Sequence, residues 1–243
     1  MYWLHKRLHS QNFLVSRELV KKLIRNSSIS SSDTVLDIGS GRGLITGELL
    51  KITPNVIAIE KDPQLTKHPQ DFLTYSLPAH DYKVFANIPF SITGDIIRKL
   101  LQASNPPADC YLIVQSEAAN KFIINSTNKM AALLYYPWWD IRIIHRFSRS
   151  DFQPIPKVDS VLLHIFPRTN PPVPLKQKTA YYDFVAYNFV HNPQAKFIPP
   201  SKWLAKFKHN QQNIKGAYSK LVLEQSCLKK IHRTRTDKNW KKF

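Results

Sequence analysis

Asn87-Ile88-Pro89-Phe90 is the stretch whose residue types could do chemistry together. It follows the apolar run Tyr82-Lys83-Val84-Phe85-Ala86, which reads as a buried strand. At a strand end it would present an amide, a carbonyl and a flat ring side by side. That set suits the task of holding the exocyclic amino group of a nucleobase while it is alkylated. The lone pair of such a nitrogen is delocalised into the ring, so it is a poor nucleophile. Acceptors at Asn87 and around the Pro89 carbonyl could bind its two hydrogens and draw the nitrogen toward tetrahedral geometry. Pro89 stiffens the turn, and Phe90 can stack on the base. Taken alone, the tetrapeptide reads equally well as an ordinary strand-to-loop turn.

A second candidate lies upstream. Gly39-x-Gly41-x-Gly43 follows the short strand Thr34–Ile38, precedes a helix over Leu44–Lys51, and is followed by the strand Asn55–Glu60. One βαβ unit of about 30 residues therefore carries a ligand-binding turn and an acid at the end of its second strand. Glycines let the chain turn tightly and let a ligand approach the backbone. The spacing is one residue short of the nicotinamide fingerprint. It resembles the first motif of S-adenosylmethionine-dependent methyltransferases, in which Asp37 and Glu60 would hold the cofactor. Glu60 can accept both ribose hydroxyls.

The elements that must position these residues follow from periodicity. Helices are expected over Ser16–Asn26, Thr93–Ala103 and Ser116–Asn125, and strands over Tyr82–Asn87 and Cys110–Gln115. Ile141–His145 and Ser160–Phe166 are late strands with no good helix between them, so an antiparallel pair is expected there. The fold class is α/β: a doubly wound, Rossmann-like sheet with an altered end and a small C-terminal all-helical domain. One stretch does not fit. Ten residues separate Glu60 from Asp71, fewer than a parallel crossover with its helix needs, and a gap near Lys67–Gln70 is suspected. Pro167, Pro171, Pro172 and Pro174 form a linker. The expected domains are residues 1–167, binding cofactor and carrying catalysis, and residues 168–243, a basic helical RNA-binding domain with helices over Thr179–His191, Ser201–His209 and Ala217–Ile231.

Composition narrows the partners. The 243 residues carry 35 Lys and Arg against 17 Asp and Glu, a formal charge of +18, which favours a polyanion. From Lys196 onward 13 basic residues face 2 acids, with Trp203, Phe207, Tyr218, Trp240 and Phe243 interleaved. No apolar run approaches the ~18 residues of a membrane span. Met1–Arg7 lacks the apolar core of a signal peptide. Two cysteines, Cys110 and Cys227, are too few for a disulfide framework, so a reducing cytoplasm fits. The nine His show no ligand spacing, so no metal site is expected.

Gln11-Asn12-Phe13-Leu14, the Asp37–Gly43 turn, Ile59-Glu60, Asp71, Asn87–Phe90 and Pro156-Lys157-Val158-Asp159-Ser160-Val161 occur in this order. The combination resembles the ribosomal RNA adenine N6-methyltransferase superfamily, which includes the Erm macrolide-resistance methyltransferases and the small-subunit adenine dimethyltransferases. The resemblance runs from Gln11 to Phe166 and weakens beyond. It implies S-adenosyl-L-methionine as cofactor. Asn12 and Leu14 would border it, Gly39 and Gly41 approach its methionine and ribose portion, Glu60 bind the ribose hydroxyls and Asp71 the adenine amino group. Asn87, Ile88, Pro89 and Phe90 would form the catalytic loop, with Phe90 and Phe152 sandwiching a flipped adenine. Asn192-Pro193-Gln194-Ala195-Lys196-Phe197 stands where the dimethyltransferase branch usually carries an Arg-Arg-Lys-type run, so the Erm branch is favoured: a cytoplasmic monomer methylating 23S rRNA and conferring macrolide-lincosamide-streptogramin B resistance. Phe90 replaces the commoner Tyr, and Ala86 stands where Gly is frequent. The alternatives are a small-subunit rRNA dimethyltransferase, a non-catalytic nucleic-acid binder on the same fold and, last, a DNA adenine methyltransferase.

Overall fold

The computed structural model describes residues 12–209 and 214–224. Gln11, Cys227, Trp240, Phe243 and the end of the last expected helix lie outside the described residues. Two compact units form, one from the chain up to Ile123 together with Trp139–Thr169, the other from Ile124–Trp138 together with the chain from Asn170 on. The chain passes between them three times, the last time between Thr169 and Asn170. The insertion of residues 124–138 into the second unit was not visible in the sequence.

The first unit is built on a six-stranded sheet in the order β3-β2-β4-β5-β8-β6. Its members are β2 (Val35–Ile38), β3 (Val56–Ile59), β4 (Lys83–Asn87), β5 (Asp109–Gln115), β6 (Trp139–Arg146) and β8 (Ser160–Pro167). A two-stranded ribbon, β1 (Phe13–Leu14) with β7 (Phe152–Gln153), pairs Leu14 with Phe152. Strands β3, β2, β4 and β5 are parallel, while β8 runs antiparallel to both β5 and β6. The late antiparallel pair is thus present, and β8 also joins the parallel part. The central strands are apolar on both faces because both are covered: Val84, Phe85, Ala86, Leu112, Ile113 and Val114 are fully buried.

Local signals set the helices. Helix α1 (Arg17–Arg25) starts where the Ser16 hydroxyl accepts the Leu19 N–H at 3.2 Å, and it buries Val20, Leu23 and Ile24. Helix α2 (Leu44–Leu49) follows the glycine turn, and α3 (Thr93–Gln102) buries Ile96, Ile97, Leu100 and Leu101. The helix expected over Ser116–Asn125 stops early, as α4 (Ser116–Ala119). Beyond it Asn125 accepts the Thr127 N–H and Asn128 accepts the Asn125 N–H through their side chains. Such local bonds compete with the helical ladder. Helix α5 (Met130–Tyr135), which the periodicity had not revealed, comes next. In the second unit α5 packs beside α6 (Lys178–His191), and α7 (Pro200–His209) buries Trp203 and Phe207. Residues 217–224 are helical. Asp183 caps that segment by accepting the Gly216 and Tyr218 N–H groups, each at 2.9 Å.

The stretch around the suspected gap forms a connection without a helix. Strands β3 and β4 are not neighbours. Each pairs with β2 from opposite sides, and residues 60–82 join them through turns alone. The Gln70 N–H returns to the Glu60 carbonyl at 2.6 Å. The Lys99 ammonium, projecting from α3, then gathers the carbonyls of Phe72 (2.7 Å), Leu73 (3.1 Å) and Tyr75, and lies 5.0 Å from the Phe72 ring centroid. One cation thus does what a helix would do for those carbonyls. Burial pushes the Lys99 pKa down, and nearby Asp71 opposes that. Because charge-assisted bonds contribute more than neutral ones, Lys99→Met should destabilise the protein by about 2 kcal/mol. The urea midpoint would shift accordingly, with Lys99→Arg retaining most of the stability.

Candidate active site

The chain leaves β2 for β3 on one side and returns to β4 on the other, so the crevice between the ends of β2 and β4 is a topological switch point, where open α/β sheets bind ligands. Gly39 follows β2, Glu60 follows β3 and Asn87 ends β4. The Gly39 and Ser40 N–H groups both donate to the Ile59 carbonyl, at 2.7 and 3.2 Å, which draws the turn onto the end of β3. Glu60 is thereby brought under the turn. Its Oε2 accepts the Gly41 N–H at 2.8 Å, and its Oε1 accepts the Lys61 and Asp62 N–H groups at the same distance. The carboxylate is 7% exposed and retains lone pairs beyond these bonds.

Asn12, Gly39, Gly41, Glu60, Asn87, Ile88, Pro89 and Phe90 line one cavity, together with Phe13. Eight of the residues expected from sequence therefore meet. Glycine is required at two of them. Gly39 has φ +72°, and a Cβ there would sit 3.2 Å from Pro89 Cδ. Gly41 has φ +56°, and a Cβ there would sit 2.8 Å from Phe13 Cε1. The turn is a cradle that any side chain would fill.

The Asn87 amide is oriented by its Nδ2, which donates to the Asn12 carbonyl at 2.8 Å. Its Oδ1 is buried and has no hydrogen-bond partner. Such an orphan costs about 1–3 kcal/mol, and functional sites are where it persists. The loop around it is fixed. The Ile92 N–H donates to the Pro89 carbonyl at 3.2 Å, and the Thr93 hydroxyl donates to the Phe90 carbonyl at 3.1 Å.

Three expected residues lie elsewhere. Leu14 is buried and lines an adjoining cavity that shares Phe13, Gly39 and Asn87 with the first. Asp71 is outside both cavities. Its Oδ2 pairs with Lys61 Nζ at 2.5 Å and its Oδ1 accepts the Leu73 N–H at 2.9 Å. The lysine hydrogen bond is the largest cause of its lowered pKa. The carboxylate is thus committed to its own loop. Phe152 is corrected more strongly. It is 2% exposed, belongs to the core and meets Phe147 edge-on at 5.4 Å, so its ring offers no open face to a base. Pairing with Leu14 makes it the anchor of the N-terminal ribbon.

Sequence reasoning missed Phe13 and Arg42. Phe13 covers Gly41, and the Arg42 guanidinium lies 4.9 Å from its ring centroid. Strand alternation gave no signal, since it would set Phe13 opposite to Asn12 and Leu14, whereas it shares a cavity with each of them. Asp37 is fully buried. Its Oδ2 accepts the Thr46 hydroxyl at 2.6 Å, and its Oδ1 has no partner. Burial, and secondarily the Glu60 charge, push its pKa up to about 7 despite Thr46. Among the described residues, no cluster of His, Cys, Asp and Glu gathers to hold a metal.

A glycine cradle at a switch point, a buried acid at the end of the next strand and an orphaned amide acceptor beside them define a site for a nucleoside-bearing group donor. The donor set fits S-adenosyl-L-methionine, with Glu60 for the ribose, and the fold and site are those of an S-adenosylmethionine-dependent methyltransferase. Residues 4–195 match the family described as ribosomal RNA adenine dimethylase. An rRNA adenine N-6-methyltransferase of Bacteroides fragilis is 32% identical over 196 residues, covering 74% of this chain and 73% of that protein. A ribosomal RNA small subunit methyltransferase A of Chlorobaculum tepidum is 32% identical over 198 residues, covering 74% and 71%. The crystal structure of the 23S rRNA methyltransferase ErmE superposes with a TM-score of 0.73 at 22% identity, covering 83% of this chain and all of that one. The chain belongs to the ribosomal RNA adenine dimethylase family and is an rRNA adenine-N6 methyltransferase that uses S-adenosyl-L-methionine.

Two outcomes follow from this geometry. Gly41→Ala adds a Cβ against Phe13 in a left-handed backbone, so S-adenosylhomocysteine affinity should fall at least about tenfold by calorimetry, with the fold retained. Asp37 has a folded pKa raised from 3.8 to about 7. Its contribution to stability is full below the unfolded value and is lost as pH rises through the folded one. Thermal melts across that window should decline in the wild type and flatten in Asp37→Asn.

Proposed function

We propose that the protein methylates N6 of an adenine in 23S rRNA, acting as a cytoplasmic monomer, and so confers resistance to macrolide, lincosamide and streptogramin B antibiotics. The observation that carries the chemistry is the Asn87 side-chain oxygen, buried, unpartnered and beside the cavity that Pro89 and Phe90 also line. An amino hydrogen of adenine satisfies it. The Pro89 carbonyl, with a lone pair beyond its bond to Ile92, takes the second hydrogen. Both bonds strengthen as the nitrogen becomes tetrahedral and positive, which is where stabilisation accelerates the reaction. When bound, S-adenosylmethionine supplies an electrophilic methyl carbon on its sulfonium. Gly39, Gly41 and Glu60 hold the donor, Phe90 stacks on the adenine, and the Asn12 carbonyl keeps the Asn87 amide from rotating. No residue is assigned as general base, because the nitrogen becomes acidic once alkylated and can lose its proton afterwards.

The choice of 23S over small-subunit rRNA is supported by the turn after α6. It reads Asn192-Pro193-Gln194-Ala195-Lys196-Phe197, without the basic run that the dimethyltransferase branch usually has. The small-subunit reading is the second one, favoured by relatives such as the Chlorobaculum tepidum protein.

Radiolabelled methyl transfer to protein-free 23S rRNA, with 16S rRNA and DNA in parallel, separates the readings. N6-methyladenine in 23S rRNA alone supports the proposal, and label confined to 16S rRNA moves the protein to the other branch. Asn87→Ala should lower kcat by about 10²–10³ while RNA affinity stays within about twofold. Equal loss of both would sink the assigned role. Phe90→Tyr should keep activity and Phe90→Ala lose it, since stacking needs only the ring face.

A further inference from the structure

The C-terminal half of α6 leaves the core that its N-terminal half helps to build. Tyr181, Tyr182, Phe184 and Val185 are buried, whereas Tyr187 (38% exposed), Val190 (57%) and His191 emerge from it. Spacings of three and four residues place these on one stripe of the helix. The Tyr187 and His191 rings stack at 4.3 Å with 27° between their planes, and His191 Nδ1 lies 2.7 Å from the Tyr187 carbonyl. An Nδ1–H donated there pins the imidazole against the phenol. In the turn after the helix, Phe197 is 53% exposed, with the Lys196 ammonium 5.1 Å from its ring centroid.

The surroundings are cationic. Among the described residues of the second unit, nine lysines stand against Asp183 and Glu224. Asp183 is buried and spends its carboxylate on the Gly216 and Tyr218 amides. The exposed Tyr187, Val190 and Phe197 side chains are open to an occupant, and this charge balance favours a polyanion over a protein surface of mixed sign.

We infer that Tyr187, His191 and Phe197, with Lys196, form a stacking platform for unpaired bases of the rRNA, separate from the catalytic cavity. Every base has a π-face, so exposed rings bind unstacked nucleotides without reading sequence. The Tyr187–His191 pair is already ordered, so little side-chain entropy is lost on binding. Paired bases present no free face, and the platform therefore selects loops and bulges over duplex. The surrounding lysines hold the phosphates. The inference rests on the reading of rRNA as the substrate.

The test uses the full-length protein and a fluorescent rRNA fragment with an unpaired loop around its methylation site, titrated at several salt concentrations. Tyr187→Ala/His191→Ala and Phe197→Ala should each weaken binding about tenfold, leave the slope of log K against log salt unchanged, and leave S-adenosylhomocysteine affinity unchanged. Lys202→Ala should instead lower that slope by about 0.7–0.9. Tyr187→Phe and Phe197→Trp should bind as the wild type does, which a merely unfolded variant would not. Aromatic variants that bind with wild-type affinity, that lose as much on a fully paired duplex, or that differ from the wild type only in sedimentation would overturn the platform. The last result would assign the stripe to self-association. A wild type that binds no rRNA fragment overturns the substrate reading as well.

Discussion

The carboxylate of Glu60 is the constraint on which the site depends. It is almost fully buried, it has no cationic partner among the described residues, and three backbone amides hold it: Gly41 on one oxygen, Lys61 and Asp62 on the other. A buried carboxylate without a salt bridge is costly unless amides satisfy it. Here those amides come from the glycine turn and from the start of the next loop. The same bonds close the turn onto the end of β3 and so define the floor of the cavity. The negative charge has a second effect, since it adds to burial in pushing Asp37 up to about 7. Of these two crowded acids only Glu60 lines the cavity.

Legibility in the sequence followed how local each determinant was. Gly39, Gly41, Glu60 and Asn87 were readable because each sits at a strand end, and strand ends are announced by apolar runs broken by Gly, Pro or an acid. The parallel core was readable for the same reason, as runs such as Val84–Ala86 and Leu112–Val114 are apolar on both faces. Phe152 was not. Its motif says an aromatic is needed there, but only tertiary packing shows whether the ring faces the cavity or the core, and Phe147 and Leu14 take it inward. Helix α5 was hidden by an Asn-rich approach and six residues too few to show a period. The membership of residues 124–138 in the second unit is a long-range property that no local pattern carries.

The connection 60–82 shows how a fold tolerates the loss of a regular element. A strand-to-strand crossover needs its carbonyls satisfied, not a helix as such. A helix satisfies them internally. Here Lys99 reaches out from α3 and satisfies three from one point, while Asp71 turns its side chain back onto the Leu73 amide and Lys61. This arrangement turns Asp71, the residue expected at the cofactor's adenine amino group, toward its own loop and apart from the cavity. A hydrogen-bond acceptor committed to its own loop can still bind a ligand, but only by exchanging partners.

Asn87 presents the opposite case. Its donor is satisfied by the Asn12 carbonyl and its acceptor is not, so the amide is oriented and incomplete together. An acceptor already paired in the resting protein would have to break a bond to engage the substrate, and the gain would be the small difference between two bonds. An unpaired one gains the full interaction when the amino group arrives, and gains more as that nitrogen acquires positive charge. The burial that makes the orphan expensive also removes the water that would compete for it. The cost is borne by the folded state before the substrate arrives, which is what preorganisation means for a site that supplies no nucleophile of its own. The packing of Pro89 on Gly39 and the Thr93 bond to the Phe90 carbonyl hold the loop in this condition. Those contacts link the glycine turn to the Asn87 loop.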